Sequence, residues 1–201
     1  MKASGKEDPH RRKKKKTKVS ETSGVAKISL DYQELKSLPK RDAKPEDKVV
    51  KIIVAKVHES GCVMSYRIES KGPQDEWIVS AIIRAIEEFG RRDIVLKTDG
   101  EPAMLALQRA IAAGRPGLTR PENPPSYKPA SNGACEKAVQ DVSAHVRALK
   151  LAPEARLGIS LEEDHPIMEW IIVHASFLLT RFSVGHDGMT PIERLTGKPW
   201  V

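Results

Sequence analysis

Cysteine is scarce in this chain. Two thiols, Cys62 and Cys135, stand among 201 residues, too few for a disulfide framework, and no Cys-x-x-Cys pair suggests zinc. The six histidines show no ligand spacing with them. No apolar run is long enough to cross a bilayer, and the polar, charged N-terminus is unlike a signal peptide. These absences argue against disulfide-stapled, zinc-stabilised and membrane-spanning classes, and an intracellular, reducing location is the expectation. Acidic residues are thin in one place: residues 1–24 hold nine Lys/Arg and three Asp/Glu.

That tail carries most of the net charge of +7. The rest is close to neutral, so the high pI reports a basic tail rather than a basic fold. Residues 1–24 lack hydrophobic periodicity and are expected to be disordered. The run Arg11-Arg12-Lys13-Lys14-Lys15-Lys16 reads as a nuclear-localisation signal or a phosphate-binding arm, with a solvated linker as the alternative. A nuclear location follows from the first reading and a cytoplasmic one from the last. Residues 25–201 then form one domain, long enough to bury a core.

Within that domain Lys27-Ile28-Ser29-Leu30-Asp31-Tyr32 alternates polar and apolar, as a half-buried strand does. Residues 36–48 read as a charged connection. Val49 to Val57 is almost wholly apolar or β-branched, the pattern of a strand buried on both faces. After the turn at Glu59-Ser60-Gly61 a third alternating strand runs from Cys62 to Glu69. A helix is predicted from Asp75 to Phe89, with Ile78, Ile82, Ala85, Ile86 and Phe89 inward. Asp93 to Thr98 is a short apolar strand, and Pro102 opens a helix with Met104, Leu107 and Ile111 buried. Gly114 to Tyr127 has room for one short strand near Leu118. A long helix starts after a Ser131 or Asn132 cap. Its core face is Cys135, Ala138, Val139, Val142, Val146 and Leu149, and its polar face Glu136, Gln140, Ser143 and Arg147. The last helix spans Pro166 to Phe182, with Ile167, Trp170, Ile171, Ala175 and Leu178 expected inside.

This order predicts an α/β fold, a mixed five-stranded sheet flanked by helices on both faces. A right-handed crossover sets the fourth strand parallel to and beside the first. Asp31 and Asp99 then become neighbours, and the capped helix brings Glu136 over the same edge. Three such carboxylates bind hard divalent cations and serve phosphoryl-transfer chemistry. Taken singly, each acid has a plainer reading: Asp99 as a turn residue, Glu136 as a helix-dipole residue, Asp31 as an exposed strand residue. His145 and His174 read as structural, Cys135 as a small buried residue, and Trp77 and Trp170 as core or interface residues.

At Asp31, Thr98-Asp99-Gly100, Asn132-Gly133-Ala134-Cys135-Glu136 and Thr190-Pro191-Ile192-Glu193-Arg194-Leu195-Thr196-Gly197-Lys198, the chain resembles the catalytic core of retroviral and retrotransposon integrases. The resemblance implies the ribonuclease-H-like fold. It implies Asp31, Asp99 and Glu136 as catalytic and metal-binding residues for two Mg²⁺ or Mn²⁺ ions, with Asp31 bridging both. It also implies DNA 3′-end processing followed by strand transfer, without a covalent enzyme intermediate. Asn132 and Gly133 then touch the DNA end, while Lys128, Lys137, Gln140 and Arg147 contact phosphate or sugar. DNA and a second copy of the chain are the expected partners. The alternatives are a ribonuclease-H-type nuclease and an inactive or repurposed nucleic-acid-binding module of the same fold.

Overall fold

A computed structural model describes residues 25–35, 49–123 and 133–200. The elements are β1 (Ala26–Leu35), β2 (Val50–Val57), β3 (Val63–Ile68), α1 (Glu76–Glu88), β4 (Ile94–Lys97), α2 (Pro102–Gly114), β5 (Thr119–Glu122), α3 (Gly133–Leu157), α4 (Ile167–Phe182) and α5 (Pro191–Thr196). The strands form one sheet in the order β3-β2-β1-β4-β5. β1, β2 and β3 pair antiparallel, whereas β4 lies parallel to β1 and β5 parallel to β4. The mixed sheet expected from the sequence is therefore present, with the fourth strand beside the first.

Strand alternation divides the core in two. Ile28 and Leu30 of β1, Ile53 and Ala55 of β2 and Leu96 of β4 face α1 and α2. Ile52 and Val54 of β2 face the other way, onto Ala138, Val139 and Val142 of α3 and Ile171, Ile172 and Ala175 of α4. Each inner position removes apolar surface from water at roughly 25 cal/mol per Å², which makes the sheet the rigid floor of the molecule.

Several expectations need correction. Ser143 does not join the exposed face of α3; it is 7% exposed, and its Oγ donates to the Val139 carbonyl at 2.7 Å. The helix itself supplies the partner, so a hydroxyl fits inside the apolar stripe. Ile167 and Trp170 are exposed and Leu178 is half-buried; α4 buries Ile171 and Ala175 as expected, and with them Met168, Ile172, Ser176, Leu179 and Thr180. Trp77 is not in the core either; it is exposed and meets Tyr66 edge-on at 5.8 Å. Phe89 and Leu149 are half-buried at the ends of their stripes. The Thr190 stretch forms a further helix, α5, closed by a capping box between Thr190 and Glu193 and by Gly197 at φ +74°.

Candidate active site

β1 and β4 set the site. Their parallel register runs from Ala26↔Ile94 to Ser29↔Lys97. Two residues beyond that register lie Asp31, which alternation along β1 puts on the α3 side of the sheet, and Asp99, which follows the end of β4. Asp31 pairs across β1 and β2 with Val54. Cys135, fully buried in the first turn of α3, directs its thiol to the Val54 carbonyl at 3.9 Å. That contact docks the start of α3 beside Asp31 and places Glu136, exposed in the same turn, at the rim.

The charges of these groups bear on one another. The Asp31 carboxyl is pushed up to about 6, first by burial and then by the charge of Asp99, with Glu136 and Glu101 adding to it. A backbone hydrogen bond from Tyr32 pulls the other way. The Cys135 thiol is pushed up to about 12, mainly by burial and then by Asp31. It is thus a packed sulfur rather than a nucleophile.

Glu101 is a fourth acid that sequence reasoning missed. Its backbone N–H donates to Asp99 Oδ1 at 3.3 Å. Its carboxylate takes Lys71 Nζ at 2.9 and 3.1 Å. Lys71 also lies over the Tyr32 ring at 5.4 Å, and the Tyr32 hydroxyl accepts the Gly72 N–H at 2.9 Å. The loop before α1 is thereby pinned to the edge of the acidic cluster. The signal was in Asp99-Gly100-Glu101-Pro102: an Asp that bonds the N–H two residues on, then a Pro that starts a helix and leaves Glu101 at its cap.

Of the other expected contacts, Gly133, Lys137, Gln140 and Arg147 are exposed on α3. Lys137 is tied to Asp141 at 2.6 Å. Lys128 and Asn132, with Ser131, lie outside the described residues. His145 bonds the Asp141 carbonyl at 2.9 Å and His174 stacks on Trp170 at 4.4 Å.

Carboxylate oxygens are hard donors, and mutual repulsion around Asp31 is the imbalance that a divalent cation relieves. The donor set fits such an ion by its chemistry. As the side chains stand, no three His, Cys, Asp or Glu among the described residues are gathered closely enough to hold one.

No protein-family profile and no curated protein sequence matches the chain. Solved structures do. The simian T-cell lymphotropic virus intasome, in complex with the PP2A regulatory subunit B56 gamma, aligns at 16% identity and a TM-score of 0.63 over 88% of this chain. This chain spans 56% of the length of that one. The HTLV-2 integrase catalytic core domain, in complex with magnesium, aligns at 16% identity and a TM-score of 0.58, covering 84% of this chain and 95% of that one. The catalytic core domain of BIV integrase aligns at 19% identity and 0.56, covering 85% and 93%. The chain has the fold of retroviral integrase catalytic cores, the ribonuclease-H-like mixed sheet with helices on both faces.

Proposed function

We propose that this chain is a divalent-metal-dependent polynucleotidyl transferase of the integrase type, which trims DNA 3′ ends and joins them to target DNA. The observation that carries the reading is the convergence on Asp31. Asp99 reaches it through the β1–β4 register and Glu136 through the docked first turn of α3, and both oppose its ionisation.

Asp31, Asp99 and Glu136 would hold the metal. Two divalent cations, when bound, supply Lewis-acid activation of the attacking oxygen and charge stabilisation at the leaving oxygen. By the resemblance, Asp31 would be the ligand common to both ions. Lys71 holds Glu101 aside as its ion partner, which leaves the other three acids to the site. The thiol of Cys135 beside the site is buried and held protonated. The reaction that the resemblance implies needs no covalent nucleophile, water and then a DNA 3′-hydroxyl being the attacking groups. Gly133, Lys137, Gln140 and Arg147, along the exposed side of α3, orient the DNA backbone, and Lys128 and Asn132 are proposed to do so from the preceding segment. The basic run at residues 11–16 suits a nuclear site of action.

Self-association is part of the proposal. α4 presents Trp170, Val173 and Phe182 to solvent, with Trp170, His174 and Phe177 stacked at 4.4 and 5.6 Å. Arg181 lies over Phe177 and Trp200 at 4.0 and 4.4 Å. An apolar helix face of this kind fits a second copy of the chain.

The test is a strand-transfer assay on the full chain with DNA ends and Mg²⁺ or Mn²⁺. Wild type should yield trimmed and joined DNA, and Asp99→Asn or Glu136→Gln should lower the yield about a hundredfold or more. One observation favours a second reading, a non-enzymatic DNA-binding module: the three acids do not already form an ion cradle. DNA binding that survives both substitutions, with no product from wild type, would establish it. Cleavage of RNA in hybrids, without DNA joining, would instead mark a nuclease.

A further inference from the structure

We propose that the cavity between the two loops leading into β4 and β5 is a site for the phosphate of a nucleotide, at the end of β4 opposite Asp99. The site is separate from the acidic cluster and does not depend on the transferase reading.

The walls come from the ends of two helices. Just past α1, Gly90 donates its N–H to the Glu87 carbonyl at 2.8 Å, and Arg91 and Arg92 follow. α2 ends at Gly114, and Arg115, Pro116 and Gly117 follow. Between these loops lies a cavity of about 430 Å³, a volume within the range of small-ligand sites. The floor is built in advance. Arg115 Nη1 donates to the Thr119 hydroxyl at 2.6 Å, and Nη2 to the Arg91 and Arg92 carbonyls at 2.8 and 2.9 Å. The Leu118 N–H donates to Asp93 Oδ1 at 3.0 Å, and the Ile94 N–H to the Leu118 carbonyl at 2.9 Å. At Gly117 the two loops press so close that a Cβ would stand 1.8 Å from the Arg92 carbonyl oxygen, so glycine alone fits there.

The buried cation at this floor has no counter-ion in contact. Arg115 is 7% exposed, yet every group it bonds is neutral. A guanidinium taken out of water without an anion beside it is costly. Nε of Arg115 and Nε of Arg91 are also buried without a hydrogen-bond partner, although buried donors are as a rule satisfied. Arg91 is half-buried and Arg92 exposed, and neither side chain forms a hydrogen bond or ion pair among the described residues. Two carboxylates stand near. Glu87 lines the cavity and Asp93 holds Leu118, and both favour the charge of Arg115 from a distance. Burial outweighs them and holds Arg115 below its ordinary range.

Stapling the two loops is the plainer account of Arg115. It explains Nη1 and Nη2, but a hydroxyl and two carbonyls do not call for a full charge. It also leaves Arg91 and Arg92 unexplained, gathered at the same cavity. A phosphate answers for all three, because its oxygens accept from several guanidinium donors at once and its charge offsets the buried cation. The cavity has room for more than the phosphate itself, which is why the ligand is a nucleotide, either free or part of a strand.

The experiment titrates the full chain, labelled with ¹⁵N, in EDTA and phosphate-free buffer. The probes are a mononucleotide 5′-phosphate, the same nucleoside without phosphate, and a DNA oligonucleotide. Arginine Nε–H resonances report the site on the wild-type protein, so no variant need fold for this reading. Those of Arg91 and Arg115 should shift saturably with a phosphate-bearing probe, and that of Arg67 on β3, the opposite edge strand, should stay still. Combining Arg91→Gln with Arg92→Gln should weaken binding about tenfold or more, since charge-assisted bonds are lost. Glu87→Gln should tighten it about threefold by removing a competing anion. Saturation by the mononucleotide identifies a free nucleotide as the source, and saturation by the oligonucleotide alone identifies a strand; either supports the site. No saturable shift at Arg91 and Arg115, a nucleoside that binds as tightly as its phosphate, or a double variant that binds like wild type would overturn it. Because metal is absent and no product is read, failure here leaves the transferase reading untouched, and failure of strand transfer leaves this site untouched.

Discussion

The carboxyl of Asp31 is the residue on which stability and chemistry oppose each other. Its folded-state value of about 6 lies above the ordinary 3.8. At neutral pH the protein therefore keeps an ionised acid where burial and like charge disfavour it. The sign follows from linkage: the cost is fully present above pH 6, fades as pH falls through 6, and is gone below 3.8. Asp31→Asn should stabilise the metal-free protein at pH 7.5 by about 1 kcal/mol, discounted for the partial exposure of the group. The gain should shrink to nothing by pH 3.8. Urea melts in EDTA at several pH values check this, and a gain that does not vary with pH would refute it. Glu101 shows the limit of reading at this scale. Nothing in its identity distinguishes an acid at a helix start from an acid facing a site; the Lys71 contact that does so comes from a loop thirty residues earlier.

Among the elements, those with one apolar stripe were legible and those with several were not. α2 buries Met104, Leu107 and Ile111 as its spacing dictates. β1 alternates as its sequence does, which is why Asp31 could be placed on a face before any coordinates. α4 is different, because Ile167, Trp170 and Val173 compete with Met168, Ile171 and Ile172, and periodicity cannot choose between two apolar sides. The choice is made by tertiary contact, including the Thr180 hydroxyl, which accepts the Val63 N–H at 3.0 Å and donates to the Val63 carbonyl at 2.8 Å. α5 is the reverse case. Its Thr-Pro-x-Glu start is a capping signal as well as part of the motif that carries the resemblance. Arg194 of α5 reaches back to the Ser60 carbonyl at 3.2 Å and to Asp187 at 2.6 Å, so the helix fastens the turn between β2 and β3. Thr190→Ala should cost about 1 kcal/mol, read as a lowered urea midpoint with unchanged slope. An unchanged midpoint would mean the cap is idle.

For the molecule as a whole, the exposed side of α4 is the feature that solubility alone does not explain. Trp170 is 58% exposed although it heads a stacked array. If a second copy covers it, wild type should sediment as a dimer at micromolar concentration, and Trp170→Glu should sediment as a monomer with an unchanged far-ultraviolet spectrum. A wild-type monomer across that range would sink the idea. The overall topology was readable because the order of periods, three strands before the first helix and a crossover after it, leaves few sheets to build. How closely the three acids approach one another was not readable, since it depends on side-chain placement that no spacing encodes.

The parallel seam between β1 and β4 has one more result. Asp31 is made early in synthesis and Asp99 much later, and they become neighbours only when the chain has looped back through α1. A chain in which β4 has not yet paired with β1 therefore lacks this juxtaposition of acids, which comes into being only as the parallel seam closes.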